Sequence, residues 1–235
     1  MRIGLLGGMS WQSSAEYYRA LNEQVQKCLG GLHSARLLLD SVDFGEMEAL
    51  QRSADWDRIG KQLALRAQAL QGAGAGCIGI CSNTTHRVAD TVAAGLKIPV
   101  VHIVDSVTTE LARIGARRPI LLATDFTVQC RVYEGVLGRH AIEVLHLDRA
   151  DQAWLHEVIY NELCHGRFSP RSRERLQNII GSAAGRGADA AILGCTELGL
   201  LLGQEPTAMP TIDTTQAHVS ALLELALRPA KSEYQ

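Results

Sequence analysis

Two stretches of the chain share one local pattern, and together they decide the fold. They are Gly74–Thr84, with the sequence GAGCIGICSNT, and Gly187–Glu197, with the sequence GADAAILGCTE. Each begins with a Gly-Ala turn, continues as an apolar run of strand length and ends in small polar side chains. Aligned without a gap, Ser82 falls on Cys195. Ligands of open α/β sheets bind at the carboxyl ends of the strands, so the repeated pattern predicts two half-sites facing one small substrate.

The similarity between the two halves extends beyond these stretches. Arg2–Met9 resembles Arg118–Asp125, and Pro99–Asp105 resembles Pro210–Asp213, where a short strand leads into a helix. Each match is short and would mean little alone. Three matches in the same order along the chain predict two similar α/β halves.

Strand and helix patterns alternate along the whole chain, which is typical of parallel sheets covered by helices. The fold class is therefore predicted to be α/β, with two pseudo-symmetric domains and mainly parallel sheets. Among the predicted elements, 142–145 is a strand and 214–227 is a helix. The acidic segment 42–53 has no clear periodicity and is interpreted as a loop.

Composition excludes several classes of protein. The 235 residues carry a formal net charge of -2, with 46% hydrophobic and 20% charged residues, as in an ordinary soluble domain. No basic cluster indicates nucleic acid as a partner, and no apolar run has membrane-spanning length. The first strand follows Met1 too closely for a signal peptide, so a cytoplasmic location is expected. The 6 cysteines lack CxxC or zinc spacing, which predicts reduced thiols and no metal site.

Three loops that follow strands carry candidate functional groups. Gly7–Ser10 can bring backbone amides close to an anion, although a tight turn explains it equally well. Ser82–Thr84 offers hydroxyls and an amide, which could also be plain helix capping. Cys195 precedes a helix, and the field at a helix N-terminus predicts a lowered thiol pKa. The alternative is that Cys195 fills a buried space.

Three motifs resemble the aspartate/glutamate racemase family of cofactor-independent amino-acid racemases. They are Gly4–Trp11 (GLLGGMSW), Ser82–Thr84 followed by His86, and Gly194–Glu197 (GCTE). The resemblance covers essentially the whole chain. It implies two domains with the active site in the cleft between them, a homodimer, and racemisation without pyridoxal phosphate or metal. The internal repeat assigns 1–98 to the first half and 99–207 to the second, and the resemblance implies that 208–235 returns to the first half.

The resemblance also assigns roles to individual residues. Ser82 and Cys195 take the two base positions, one on each face of the α-carbon, so that one abstracts a proton while the other returns one. Asn83, Thr84, Thr124 and Thr196 would hold the α-carboxylate and the amino group of the substrate. The predicted substrate-binding residues are Gly8, Met9, Ser10, Asn83, Thr84, Thr124, Thr196 and Glu197.

The chain departs from the family pattern in two places. Most members have cysteine where this chain has Ser82, and a subgroup has threonine, so racemisation is expected with unequal rates for the two enantiomers. The neighbouring Cys81 should face the core, because consecutive strand side chains point to opposite faces. The segments that supply cations for a distal carboxylate, 44–48 and 160–166, here contain no lysine or arginine. The second segment offers Cys164 and His165, with Arg167 just beyond it, so a preference for acidic substrates rests mainly on the resemblance.

Three functions from different classes follow from these observations. The first is racemisation of aspartate or glutamate by two-base proton transfer. The second is a single-thiol enzyme of the same superfamily, such as an arylmalonate-type decarboxylase or a cis-trans isomerase, since Cys195 alone would serve it. The third is a non-catalytic carboxylate-binding protein.

Overall fold

A computed structural model describes residues 1–228 and contains two parallel sheets. The first sheet has the strand order β2-β1-β3-β4, and every neighbouring pair is parallel. Its strands are β1 (Ile3–Gly7), β2 (Leu37–Ser41), β3 (Cys77–Ile80) and β4 (Val100–Val101). The second sheet has the order β5-β6-β7, also parallel. Its strands are β5 (Pro119–Leu122), β6 (Ala190–Leu193) and β7 (Thr211–Asp213). The α/β fold class is confirmed.

Helices connect the strands and cover both sheets. In the first part of the chain they are α1 (Trp11–Leu29), α2 (Phe44–Arg52), α3 (Trp56–Gly72), α4 (Ala89–Ala93) and α5 (Ile103–Ile114). In the second part they are α6 (Asp125–Cys130), α7 (Val132–Leu137), α8 (Arg149–Asn161), α9 (Pro170–Gly185), α10 (Thr196–Leu202) and α11 (Thr214–Leu227). Short 3-10 helices cover Thr84–Val88, Gly138–His140 and Leu163–His165. Among residues 1–228, no helix is long and apolar enough to cross a membrane.

The internal repeat of the sequence is a repeat of structure. Gly74 and Gly187 both have a φ of 90°, a conformation that side chains with a Cβ rarely adopt. Each turn is held by the arginine that directly precedes the neighbouring strand: Arg2 donates to the Ala73 carbonyl (2.8 Å), and Arg118 donates to the Gly187 carbonyl (3.3 Å). The matched strands β1 and β5 lie beside β3 and β6 in equivalent positions.

The helix that follows the last strand of each sheet packs against the other half. Helix α5 follows β4 but buries Val104, Val107 and Leu111 in the core of the second sheet. Helix α11 follows β7 but buries Val219 and Leu222 against β1, β3 and α1. The two helices also pack against each other. This exchange of helices ties the halves together and sets the spacing between the two sheets.

Three expectations from the sequence differ from the structure. Strand β4 pairs with β3 and lies in the first sheet, whereas the predicted division at 99 placed it in the second half. Strand β7 pairs with β6 and lies in the second sheet, whereas the predicted division at 208 placed it in the first half. The division into domains itself remains a prediction, and its residues 229–235 lie outside the described part of the chain. Segment 42–53 is a helix, because Asp43 caps it at Gly45 N (2.8 Å) and Met47 is buried. Of 142–145, only Leu145 forms a bridge to β5.

Candidate active site

The carboxyl ends of both sheets converge on one pocket. Loops after β1 and β3 line it from the first sheet, and loops after β5 and β6 line it from the second. The pocket has about 480 Å³ of space not occupied by atoms, part of which is open to solvent. Its lining residues are Met9, Ser10, Ser13, Phe44, Gln51, Cys81, Ser82, Asn83, Thr84, Thr124, Thr127, Ile159, Tyr160, Cys164, Gly194, Cys195, Thr196 and Glu197.

The thiol of Cys195 is hydrogen-bonded to the carboxyl group of Glu197. Cys195 lies between β6 and α10, and its Sγ donates to Glu197 Oε2 at 3.0 Å. The other oxygen, Glu197 Oε1, accepts from the hydroxyl of Ser10 at 2.7 Å. Glu197 is buried, in the first turn of α10. A carboxyl group held in this way can accept the thiol proton.

Burial raises the pKa of the Cys195 thiol well above its ordinary value, and the negative charge of Glu197 raises it further. This direction is opposite to the lowered pKa that the helix N-terminus predicted. Removal of the thiol from water and the nearby carboxylate outweigh the field of a helix that is only 7 residues long. The resting group is therefore a neutral thiol whose proton is already aimed at Glu197.

The opposite half-site has no comparable base. Ser82 lines the same pocket, but its hydroxyl forms no hydrogen bond with any residue between 1 and 228. The ring of His86 contacts the Ser82 carbonyl oxygen at 2.7 Å (Nδ1) rather than the hydroxyl. Cys81 is fully buried in the core of the first sheet, and burial raises its pKa. The two half-sites are thus chemically unequal.

Hydroxyl and amide groups line the pocket near Ser82. The hydroxyl of Thr127 lies 2.7 Å from that of Thr84 and 3.2 Å from that of Thr124. Asn83 is held at both ends of its amide: its oxygen accepts from Tyr133 (2.6 Å), and its nitrogen donates to Thr214 (3.1 Å). These side chains can donate to a carboxylate without first being reoriented, because packing and hydrogen bonds hold them in place.

The loop after β1 also reaches the pocket. Gly8 has a φ of 90°, and a Cβ there would lie 2.1 Å from the Val42 carbonyl oxygen, so the close approach of the two loops requires glycine. Ser10 caps α1, and Ser13 in its first turn contacts the Thr196 hydroxyl at 2.7 Å. These bonds join the loop of the first sheet to α10 of the second half.

All but one of the sequence-predicted site residues line this pocket. The exception is Gly8, which lines an adjoining cavity together with Ser10 and Phe44. Their roles remain predictions. Sequence reasoning missed four of the lining residues, which are Ser13, Gln51, Thr127 and Ile159. Phe44, Tyr160 and Cys164 lie in the segments 44–48 and 160–166 that were expected to face the distal carboxylate, and Gly194 belongs to the GCTE motif. Cys81 was expected to face only the core, but it also lines the pocket.

Three histidines, of which His86 and His218 are buried and His102 is half-buried, lie together next to Ser82. The ring of His86 lies 4.8 Å from that of His102 and 5.5 Å from that of His218, measured between centroids. Burial lowers the pKa of His218 to about 4 and lowers the pKa of His86 well below its ordinary value. The rings are therefore neutral near pH 7. His218 links the Tyr17 hydroxyl (2.7 Å) to the Val101 carbonyl (2.8 Å) and so supports the sheet beneath the pocket.

Comparisons with known proteins extend over nearly the whole chain. Residues 6–222 match the family model described as Asp/Glu/Hydantoin racemase. A Yersinia pestis protein proposed to be an Asp/Glu racemase has 40% identity and a TM-score of 0.89, covering 97% of this chain and 99% of its own. An aspartate racemase homologue from Pyrococcus horikoshii OT3 has 30% identity and a TM-score of 0.85, covering 96% and 98%. The broad specificity amino-acid racemase RacX of Bacillus subtilis is 25% identical over 224 residues, which are 91% of this chain and 92% of that protein.

The two parallel sheets repeat one structure, and the Cys195 thiol and the Ser82 hydroxyl line one polar pocket at their carboxyl ends. This arrangement defines the class as α/β enzymes built from two similar halves. Within that class, the chain belongs to the Asp/Glu/hydantoin racemase family. The resemblance stated from the sequence is confirmed. No group of three or more histidine, cysteine or acidic side chains suited to a metal ion occurs within residues 1–228.

Proposed function

We propose that this protein interconverts the enantiomers of an amino acid by moving the α-proton between Cys195 and Ser82, without a cofactor. One observation carries this proposal: the Cys195 thiol donates a hydrogen bond to Glu197 in the wall of the pocket that Ser82 also lines. The family supports the same reaction, since the relatives named above include amino-acid racemases.

The thiol half-site would act through a transfer of two protons. The Cys195 proton moves to Glu197 Oε2, and the thiolate then removes the α-proton of the substrate. The raised thiol pKa makes this thiolate a strong base once it forms. Cys195 ends the step as a thiol and Glu197 as a carboxylic acid, while the substrate carries the negative charge over its α-carbon and carboxylate.

The hydroxyl half-site would complete the inversion. Ser82 donates its proton to the opposite face of the α-carbon, and the resulting alkoxide regains a proton from Glu197 through water. The carboxylate of the substrate is held by the amide of Asn83 and the hydroxyls of Thr84 and Thr124, which stabilise the developing charge. Because the Ser82 hydroxyl lacks a base partner, the enantiomer whose α-proton faces Ser82 should exchange that proton with solvent more slowly than the enantiomer whose α-proton faces Cys195.

Chiral chromatography tests the proposal directly. Each enantiomer of a panel of amino acids is incubated with the protein, and the opposite enantiomer is quantified over time. Cys195→Ala should abolish the conversion, and Ser82→Ala should reduce it at least about 100-fold. A conversion that survives Cys195→Ala at the normal rate would contradict the assignment of the thiol.

The unpartnered Ser82 hydroxyl also favours a second candidate. A decarboxylase that loses carbon dioxide from a disubstituted malonate needs one thiol only, to protonate the resulting carbanion. Arylmalonate decarboxylase shares the fold, with a TM-score of 0.55 and 15% identity. Release of carbon dioxide from an arylmalonate, with no change in the optical purity of any amino acid, would favour this reaction over racemisation.

Which amino acid is used is a separate question. The resemblance predicts aspartate or glutamate, whereas RacX is named for broad specificity. The pocket lining contains Glu197 and no lysine, arginine or histidine, and this distribution of charge affects which substrate side chain can bind. Homodimeric assembly and a cytoplasmic location remain predictions, and light scattering during gel filtration measures the first of them.

A further inference from the structure

The ring of His86 holds the backbone of Ser82 in place. His86 lies in the 3-10 helix Thr84–Val88 and is buried. Its Nδ1 lies 2.7 Å from the Ser82 carbonyl oxygen. A carbonyl oxygen can only accept a hydrogen bond, so Nδ1 carries the hydrogen of the ring and donates it. This bond reaches back over four residues and closes the turn that carries the Ser82 hydroxyl.

The other ring nitrogen of His86 favours the same form of the ring. Nε2 is buried and has no hydrogen-bond partner among residues 1–228. A hydrogen on Nε2 would be a buried donor without an acceptor, which is costly. Burial lowers the pKa of His86 well below its ordinary value, and the neighbouring His218 and His102 lower it further. The ring is therefore neutral, with its hydrogen on Nδ1.

Two neighbouring rings fix the position of His86. His218, in α11, is hydrogen-bonded through both of its nitrogens, and its ring centroid lies 5.5 Å from that of His86. His102 caps α5 by accepting from the Val104 N–H at 3.2 Å, and its ring centroid lies 4.8 Å from that of His86. Helices α5 and α11 are the two that pack across the halves. The ring that bonds to Ser82 therefore has support from both halves of the protein.

The Ser82 hydroxyl depends on its own backbone for its position. It has no hydrogen-bond partner among residues 1–228, whereas the backbone is bonded on both sides of the Cα. The Ser82 N–H donates to the Ile80 carbonyl at 2.8 Å, and the Ser82 carbonyl accepts from His86. A misplacement of a catalytic group by about 1 Å can cost about 100-fold in rate. Whatever fixes the Ser82 backbone therefore affects proton transfer by its hydroxyl.

We infer that His86 is a positioning residue for the hydroxyl half-site, which aims the Ser82 hydroxyl at the substrate through its hydrogen bond to the Ser82 carbonyl. This inference rests on the proposed function and adds one residue to it. His86 is not among the residues that line the pocket, so it acts through Ser82 and not on the substrate. Loss of the bond should impair proton transfer on the face of the α-carbon toward Ser82 and leave the face toward Cys195 nearly unchanged.

Exchange of the α-proton in D₂O, followed by ¹H NMR for both enantiomers of a panel of amino acids, measures the two faces separately. Ser82→Ala identifies the enantiomer whose α-proton faces Ser82, because exchange of that enantiomer should fall more. His86→Leu fills the space without a donor and should slow exchange of this enantiomer at least about 10-fold relative to its mirror image. His86→Asn places an amide N–H near the position of Nδ1 and should restore the ratio to within about 3-fold of that of the unaltered protein.

His102→Asn is the matched control. It removes a ring that packs against His86 but does not bond to Ser82, and asparagine can still cap α5. The ratio of the two exchange rates should stay within about 3-fold of that of the unaltered protein. A shift as large as that in His86→Leu would overturn the inference, because packing rather than the hydrogen bond would then set the ratio.

A measurement on the unaltered protein tests the bond itself. ¹⁵N NMR of protein labelled at histidine, assigned with the spectrum of His86→Asn, reports which nitrogen of the His86 ring carries the hydrogen, and we expect Nδ1. A hydrogen on Nε2 would overturn the inference even if His86→Leu did not fold. An unchanged ratio in folded His86→Leu would also overturn it and leave the racemase intact. Absence of exchange of every amino acid by the unaltered protein would instead overturn the proposed function.

Discussion

Removing the carboxylate next to Cys195 should lower both the thiol pKa and the rate of the reaction. In Glu197→Gln, the amide can still accept a hydrogen bond, but the negative charge is lost. The Cys195 Sγ lies 3.0 Å from Glu197 Oε2, and the centre of the carboxylate charge is somewhat farther away. Unit charges about 4 Å apart at an effective dielectric constant of about 20 interact by about 4 kcal/mol. Relaxation and water reduce this energy, so we expect the thiol pKa to fall in the variant while burial still holds it above its ordinary value.

The rate of racemisation should nevertheless fall, by about 100-fold or more, because the thiol loses the group that accepts its proton. The thiol pKa is obtained from the pH dependence of iodoacetamide alkylation, quantified for the Cys195 peptide by mass spectrometry. Glu205→Gln, an exposed glutamate beyond the end of α10, is the control and should change neither quantity. A Glu197→Gln variant with the original pKa and the original rate would refute the role given to this carboxylate.

Three further predictions concern asymmetry and stability. Ser82→Cys should bring the α-proton exchange rates of the two enantiomers closer together, since a thiol ionises far more readily than a hydroxyl; NMR in D₂O checks this, and a constant ratio would contradict it. Because the pKa of His218 is lowered to about 4, the unfolded chain gains a proton before the folded one as pH falls from about 6.5 to about 4. The folded state should lose up to about 3 kcal/mol over that window, measured by urea unfolding, and His218→Asn should lose this part of the pH dependence. Leu222→Ala should cost 2–5 kcal/mol, roughly the usual range for a fully buried leucine, and Leu227→Ala, which is 42% exposed, less than about 1 kcal/mol.

The sequence predicted the arrangement of the strands that hold the site, because that arrangement depends on local patterns. The Gly-Ala turns and the apolar runs that end in Ser82 and Cys195 form β3 and β6, and both end at the same pocket. The short strands β4 and β7 were assigned to the wrong sheets. They contain only 2 and 3 residues, and their pairing is decided by the strand alongside rather than by their own sequence.

The chemistry of the site could be predicted only in part. The position of Cys195 before a helix suggested a lowered pKa, but the actual direction depends on burial and on where the Glu197 carboxyl points. Neither can be read from spacing alone. Gln51 was missed for a related reason, because α2 lacks a clear apolar period and only the folded chain places its last turn in the pocket. Contacts between distant segments decide both features.

The most direct test of the two-base account is the position of deuterium at early times in D₂O. Each enantiomer of an exchanging amino acid is incubated with the protein, separated by chiral chromatography and analysed by mass spectrometry. Two bases on opposite faces predict that the inverted product carries one α-deuterium while the recovered substrate remains unlabelled, and that Cys195→Ala abolishes both inversion and labelling. Deuterium that enters the substrate with retention and never appears in an inverted product would contradict proton transfer between Cys195 and Ser82.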